Sequence, residues 1–278
     1  MSVEFTAHNI RLNDGVETTP ETPLLAAHPW HAETQQRPTR SRDAMAMQLL
    51  NLSYGRFHYK FDVQRFNLSE LAAQMFDCHP SELPQVHRGK QQYRTFDKLG
   101  TEVETIYHKI FYGHVNPKQG SLTAEGAEFL SKYYSLLKAL VEEHFKEELY
   151  VQRIPSFRIQ LPGNRAIGEP HRDTDAGHRP EETNVFLPLT PAFDSNAIWA
   201  ESTIGKRDFS SLSANPGELI IWNGANLLHM NKINETGYSR VSVDFRVLPI
   251  KSYQDRPTLF SLSTRTPMKL GHYFIEIK

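Results

Sequence analysis

The spacing of apolar residues changes once along this chain, close to residue 150. Before that point the clearest period is helical. Across 123–146, Phe129, Tyr133, Leu136, Leu137, Leu140 and Val141 recur three and four residues apart, with Lys132, Lys138, Glu142 and Glu143 between them. That period gathers the apolar set on one face and predicts a helix lying against a sheet. Shorter stretches predict helices over 41–52, through Met45, Leu49 and Leu52, and over 67–76, through Leu68, Leu71 and Met75. Across 105–112 the pattern is less regular, and Ile106, Tyr107, Ile110 and Phe111 predict a buried element. Residues 1–40 are rich in Thr, Pro, Glu and His, hold no sustained period and read as an irregular arm.

After Val151 the texture becomes short strands between Pro and Gly punctuation. Strands are predicted over 156–161, closed by Pro162-Gly163, and over 183–189, with Val185, Leu187 and Leu189 on one face. Two more follow over 196–201 and over 218–222, the latter ending at Asn223-Gly224. The stretch 239–248 alternates strictly. Val241, Val243, Phe245 and Val247 face one way, and Arg240, Ser242, Asp244 and Arg246 the other. So many short strands at this spacing predict a sandwich or barrel. The organisation expected is an arm over 1–40 and a single catalytic domain over 41–278, mainly β, with a helical flank to about 150 and a β core over about 151–250.

Composition narrows the class without changing this outline. A chain of 278 residues with 39 % hydrophobic and 23 % charged residues suits a soluble domain with a substantial core. A formal net charge of −1 argues against nucleic acid as a partner. Cys78 is the sole cysteine, so no intramolecular disulfide can form, and a reducing, cytoplasmic compartment is expected. Leu24-Leu25-Ala26-Ala27 is too short for a signal core, and no apolar run could cross a membrane. The basic stretch 88–94 reads as a solvated loop rather than an anion site.

Candidate chemistry sits in the β region. The charged face of 239–248 must look into something polar, because buried ions without partners are costly. Upstream lie His171-Arg172-Asp173 and, much later, His229. Residues two apart on an extended strand point the same way, so His171 and Asp173 can reach one ion while Arg172 points away. Two imidazoles and a carboxylate on one face of a divalent metal leave the opposite positions open, which is the donor set of non-haem Fe(II) oxygenases. Asp175 and His178 share the stretch. Asp175 is four positions from His171, too far along a strand to share the ion, and both read as polar loop residues.

The pattern H-x-D, a distal His, and Arg240-Val241-Ser242 eleven to thirteen residues beyond it resembles the Fe(II)/2-oxoglutarate-dependent dioxygenase superfamily over about 155–250. The resemblance implies a double-stranded β-helix, or cupin-like jelly roll, with the metal inside one end. It implies Fe(II) on His171, Asp173 and His229, and O2 as oxidant. It also implies 2-oxoglutarate as cosubstrate, with its far carboxylate on Arg240 and Ser242. The stretch from Asn196 to Trp199 is similar to a strand that approaches 2-oxoglutarate in several members. Superfamily halogenases lack the carboxylate ligand, so Asp173 favours hydroxylation, with desaturation or ring closure as other outcomes.

The expected activity is therefore hydroxylation of a hydrophilic small molecule such as an amino acid, sugar or biosynthetic intermediate. Arg158, Gln160, Asn184 and Glu201, with Arg179 nearby, are candidates for substrate contact. Arg240 has a structural alternative, a pair with Asp244 on the same strand face. Two other functions fit the scaffold: a non-oxidative cupin-type isomerase or lyase, and a metal-free binding protein. The isomerase or lyase would not require the Arg240/Ser242 pair.

Overall fold

The helical stretches come first, and the two longest open on threonine caps. A short strand, β1 (Phe57–Lys60), leads into α1 (Leu68–Met75), a 3-10 segment (Pro80–Arg88), α2 (Ile106–Val115) and α3 (Ala124–Leu140). Thr105 Oγ1 accepts from His108 N at the start of α2, and Thr123 Oγ1 accepts from Gly126 N at the start of α3. The irregular apolar pattern of 105–112 is thus a helix. The helix predicted over 123–146 continues as a π-helical turn (Val141–Phe145), which Lys146 ends in left-handed backbone at φ 51°.

The computed structural model describes residues 55–89, 105–116, 121–166, 169–255, 258–261 and 266–277. The arm expected over 1–40, the helix over 41–52 and Lys90 to Arg94 of the basic stretch lie outside them. All the described residues fall within one unit, Arg40–Lys278. No helix among them is long and apolar enough to cross a membrane.

Nine further strands build two sheets: β2 (Leu149–Gln152), β3 (Ser156–Gln160), β4 (Thr183–Pro188), β5 (Ile198–Ala200), β6 (Ser210–Ser211), β7 (Glu218–Trp222), β8 (His229–Asn231), β9 (Arg240–Pro249) and β10 (Phe274–Glu276). The larger sheet runs β1-β7-β4-β9-β2-β10, with β3 also on β9, and the smaller runs β6-β5-β8. Every pairing is antiparallel. The fold is the expected double-stranded β-helix with flanking helices.

Strand β9 is the spine. It pairs with β4 along one edge and with β3 and then β2 along the other. Its apolar residues Val241, Val243, Phe245 and Val247 are buried in one core with Phe111 of α2 and Phe129 and Tyr133 of α3. Phe111 stacks on Phe157 of β3 at 4.5 Å, and Tyr133 meets Phe245 edge-on at 5.2 Å. The opposite face of the sheet covers a second core, Phe186, Ile220 and Trp222 with Ile198 and Ala200 of β5. Between these layers the polar face of β9 is turned inward.

Two local expectations need correction. The strand predicted over 196–201 is shorter, because Asp194–Asn196 form a 3-10 turn in which Asn196 Oδ1 accepts from Phe193 N at 2.7 Å. The extended stretch at His171 also stops early. His171 bridges His229 through reciprocal backbone hydrogen bonds of 3.0 and 2.9 Å, but Asp173 already opens a 3-10 turn (Asp173–Ala176). The Asp175 carboxylate causes this by accepting from Arg172 N at 2.8 Å, and Gly177 closes the turn at φ 87°. Asp175 is a turn-capping residue, in line with its loop reading.

Candidate metal centre

His171 and His229 reach the same point from opposite strands of their bridge, and Asp173 reaches it from the first residue of the turn. The potential ligand atoms of the three lie within 4.8 Å of one another, and no other such group of three occurs among the described residues. Asp173 Oδ1 is 3.9 Å from His171 Nε2 and 3.6 Å from His229 Nε2. Each imidazole is oriented by a carbonyl: Nδ1 of His171 lies 2.7 Å from Glu169 O, and Nδ1 of His229 lies 2.9 Å from Leu227 O. A carbonyl can only accept, so Nδ1 carries the proton and Nε2 keeps a lone pair turned toward Oδ1. Trp222 closes the site with its ring edge-on to His229 at 4.9 Å.

Protonation suits this role. Burial pushes the His229 imidazole down to about 4 against the pull of Asp173, so it is neutral at pH 7, as a metal ligand must be. Burial would raise the Asp173 carboxyl, but Arg246 beside it, with His178 and His229, holds it well below the usual range. His108, buried against Phe157 and near Arg158, is also lowered to about 4, chiefly by burial. Both histidines bind protons more weakly folded than unfolded, so acid favours the unfolded chain. The metal-free protein should hold its stability above about pH 6.5 and lose it as pH falls toward 4. Urea midpoints across that range measure the effect, and His108→Gln should flatten the slope.

The second oxygen of Asp173 is held from behind. Arg246 donates to Oδ2 from Nη2 at 2.7 Å and from Nε at 3.2 Å, and Asn184 Nδ2 donates to it at 2.6 Å. Asn184 and Arg246 face each other across β4 and β9. Asn184 sits so close to Gly224 that a Cβ there would lie 2.6 Å from its Cγ and Nδ2, and 2.9 Å from the Trp222 ring. Gly224→Ala should therefore displace Asn184 and lower metal affinity by about tenfold, the scale of losing an outer partner. Metal titration of the purified variant checks this.

Further along β9, the Arg240 side chain is fully buried. Its Nη1 donates to Asn231 Oδ1 at 3.0 Å, and its guanidinium lies 5.8 Å from the Phe186 ring. Ser242 is also fully buried, and its Oγ has no hydrogen-bond partner. Arg158 lies opposite Ser242 in the strand register and donates to Asp244 Oδ2 at 3.2 Å, so Asp244 engages Arg158. One cavity is lined by all three triad residues together with Asn184, Asn231, Arg240, Arg158, Asp244 and Arg246.

Of the residues singled out in the sequence, the triad, Arg240, Arg158 and Asn184 line this cavity, while Ser242 lies outside its lining. Gln160, Asn196, Trp199 and Glu201 do not line it either. Their polar groups serve backbone instead. Gln160 Nε2 donates to the carbonyls of Asn164 and Lys232, Trp199 Nε1 donates to Asp194 O, and Glu201 accepts from Leu228 N and Arg207 N. Asn196 spans Phe193 N and Thr236 Oγ1. Arg179 lies over the Tyr253 ring, and His178 pairs with Glu182 at 2.6 Å. Arg246 and Asn231 are among the lining residues that were not singled out as site residues. Arg246 shares the strand face of Arg240, and Asn231 follows His229 by two, so alternation could have nominated both.

No protein-family profile matches the chain. Over 174 residues it is 37 % identical to the streptomycin biosynthesis protein StrG of Streptomyces griseus, covering 63 % of this chain and 77 % of that protein. The chain belongs to the StrG family. Solved structures similar to this StrG-family chain include EctD from S. alaskensis with bound Fe, at 11 % identity, 84 % and 85 % coverage of this and that chain, and TM-score 0.47. AviO1 from Streptomyces viridochromogenes Tue57 matches at 15 % identity, 78 % and 99 % coverage and TM-score 0.45. The non-haem alpha-ketoglutarate-dependent epimerase SnoN of nogalamycin biosynthesis matches at 12 % identity, 85 % and 98 % coverage and TM-score 0.45. Within the StrG-family chain itself, the H-x-D…H…R-x-S pattern resembles that of the Fe(II)/2-oxoglutarate-dependent dioxygenase superfamily, and its two histidines and carboxylate converge as a group able to hold a metal.

Proposed function

We propose that this StrG-family protein is a mononuclear Fe(II)- and 2-oxoglutarate-dependent oxygenase that hydroxylates a hydrophilic small molecule in the cytoplasm. One observation carries the reading. Beside the triad, a buried guanidinium and a buried hydroxyl with no partner line up on one strand face, Arg240 and Ser242. An orphaned buried hydroxyl is costly unless a ligand meets it. A carboxylate there would take a charge-assisted fork from Arg240 and a hydrogen bond from Ser242. A non-oxidative cupin-type isomerase or lyase has no need of that pair.

The donor set fits Fe(II): His171, Asp173 and His229 would hold it, with 2-oxoglutarate anchored at its far carboxylate by Arg240 and Ser242. When bound, iron and cosubstrate supply O2 activation coupled to oxidative decarboxylation, with succinate and CO2 as products. The chain's part is orientation and shielding. Trp222, Val185 and Ile198 supply the apolar part of the walls, the carbonyls of Glu169 and Leu227 fix the imidazole tautomers, and Asn231 braces Arg240. Asp173, as a carboxylate ligand, supports hydroxylation over halogenation.

Charge supports a polar substrate. Arg246 pairs with Asp173 and Arg158 with Asp244, and most of the side chains that line the cavity are polar or charged. Such a lining favours a hydrophilic substrate that can hydrogen-bond to it. StrG is named for streptomycin biosynthesis, which supports a biosynthetic intermediate as the substrate class. The test is succinate release from 2-oxoglutarate with Fe(II), across a panel of acidic and neutral sugars and amino acids. Substrate-stimulated succinate with at least one member is expected. Isomerisation without succinate would favour the cupin reading.

A further inference from the structure

The carboxylate of Asp173 is divided between two tasks. Oδ1 faces both imidazole Nε2 atoms, while Oδ2 receives three N–H donors, two from Arg246 and one from Asn184. We infer that Arg246 and Asn184 are positioning residues that fix Asp173 as a one-oxygen ligand. Together they form an anion cradle that will accept a small free carboxylate when the Asp173 side chain is removed. The ligand role assigned to Asp173 presupposes the metal reading above; the cradle itself does not.

The donors are set by the scaffold rather than by Asp173. Arg246 lies in the middle of β9, its backbone N donates to Gln152 Oε1 at 3.2 Å, and its Nη1 donates to Ser156 Oγ at 3.3 Å. Gln152 Oε1 is fixed in turn by the Tyr273 hydroxyl at 2.9 Å. Asn184 is held against Gly224, whose carbonyl accepts from Asp173 N at 3.2 Å. Carboxylates bind metals through one oxygen or through two. Turning Oδ2 toward a metal here would strip a buried guanidinium of its partner, so the two-oxygen mode is closed. That keeps a coordination position open for cosubstrate or oxygen. Asp173→Gly would leave Arg246 and Asn184 aimed at an empty space of carboxylate size, beside both histidines.

The test compares the wild type, Asp173→Gly, and Asp173→Gly combined with Arg246→Met, each with and without formate. Thermal unfolding of the metal-free proteins reads the cradle alone. Formate should raise the melting temperature of Asp173→Gly saturably and leave the wild type and the double variant unmoved. Titration with Co(II) or Fe(II) reads the ligand role: formate should restore metal affinity in Asp173→Gly by about tenfold or more and fail in the double variant. Asn184→Ala, which keeps the Asp173–Arg246 pair, should lose metal affinity by about tenfold while remaining folded. No formate effect on metal-free Asp173→Gly, or an equal effect in the double variant, would overturn the cradle. Formate stabilisation with unchanged metal affinity in Asn184→Ala would overturn the positioning role. Absence of metal binding by the wild type would overturn the metal reading, leaving the metal-free melts to decide the cradle.

Discussion

His229→Ala and His171→Ala should each remove iron-dependent turnover while leaving the chain folded. Each residue supplies one of three donors, so metal affinity should fall further than the about 10–100-fold that loss of an outer partner costs. Folding should survive because neither imidazole carries the core. His171 is partly exposed, and His229 packs against the His171 ring and edge-on to Trp222 without belonging to either apolar core. Asp173 differs in kind. Truncating it strands the buried Arg246, and breaking a buried ion pair from one side costs about 3–5 kcal/mol of stability. Circular dichroism melts beside metal titrations separate the two classes. Histidine variants should melt near the wild type without metal, and Asp173 variants well below it. Near-wild-type metal binding in either histidine variant would remove that residue from the site.

Arg240→Ala should weaken 2-oxoglutarate binding by about 2–5 kcal/mol, the cost of leaving a buried carboxylate without its guanidinium. That is a loss of roughly thirty- to several-thousand-fold in affinity. Arg240→Lys should fall between parent and alanine variant, since a point charge replaces a planar fork and also loses the geometry that Asn231 braces. Affinity for iron without cosubstrate should change little, because Arg240 is on the wall of the cavity and is not one of the three ligands. Ser242→Ala should cost less, as its Oγ has no partner to lose in the protein. Binding of 2-oxoglutarate by Arg240→Ala at the parent affinity would place the anchor elsewhere.

Alternation made much of this legible in the sequence. The strict period of 239–248 separated the core face of β9 from its cavity face, and both faces are as that period requires. The convergence of His171, Asp173 and His229 was legible because residue type and spacing carried it. Other features depend on register and reach, which spacing alone does not carry. Arg246 meets Asp173 across 73 positions of chain, through the turn that starts at Asp173. The β3–β9 register sets Arg158 beside Ser242, and its side chain reaches Asp244. Asn196, Trp199 and Glu201 have ligand-like side chains, but their polar atoms are consumed by neighbouring backbone, a local competition that residue type cannot reveal.

The most direct test of the central claim is anaerobic titration of the Fe(II)-loaded protein with 2-oxoglutarate, following the visible metal-to-ligand absorption band. The wild type should develop the band saturably, lose it on chelation, and show it only at much higher 2-oxoglutarate when Arg240 is alanine. An iron-loaded wild type that develops no band at any 2-oxoglutarate concentration would contradict the account.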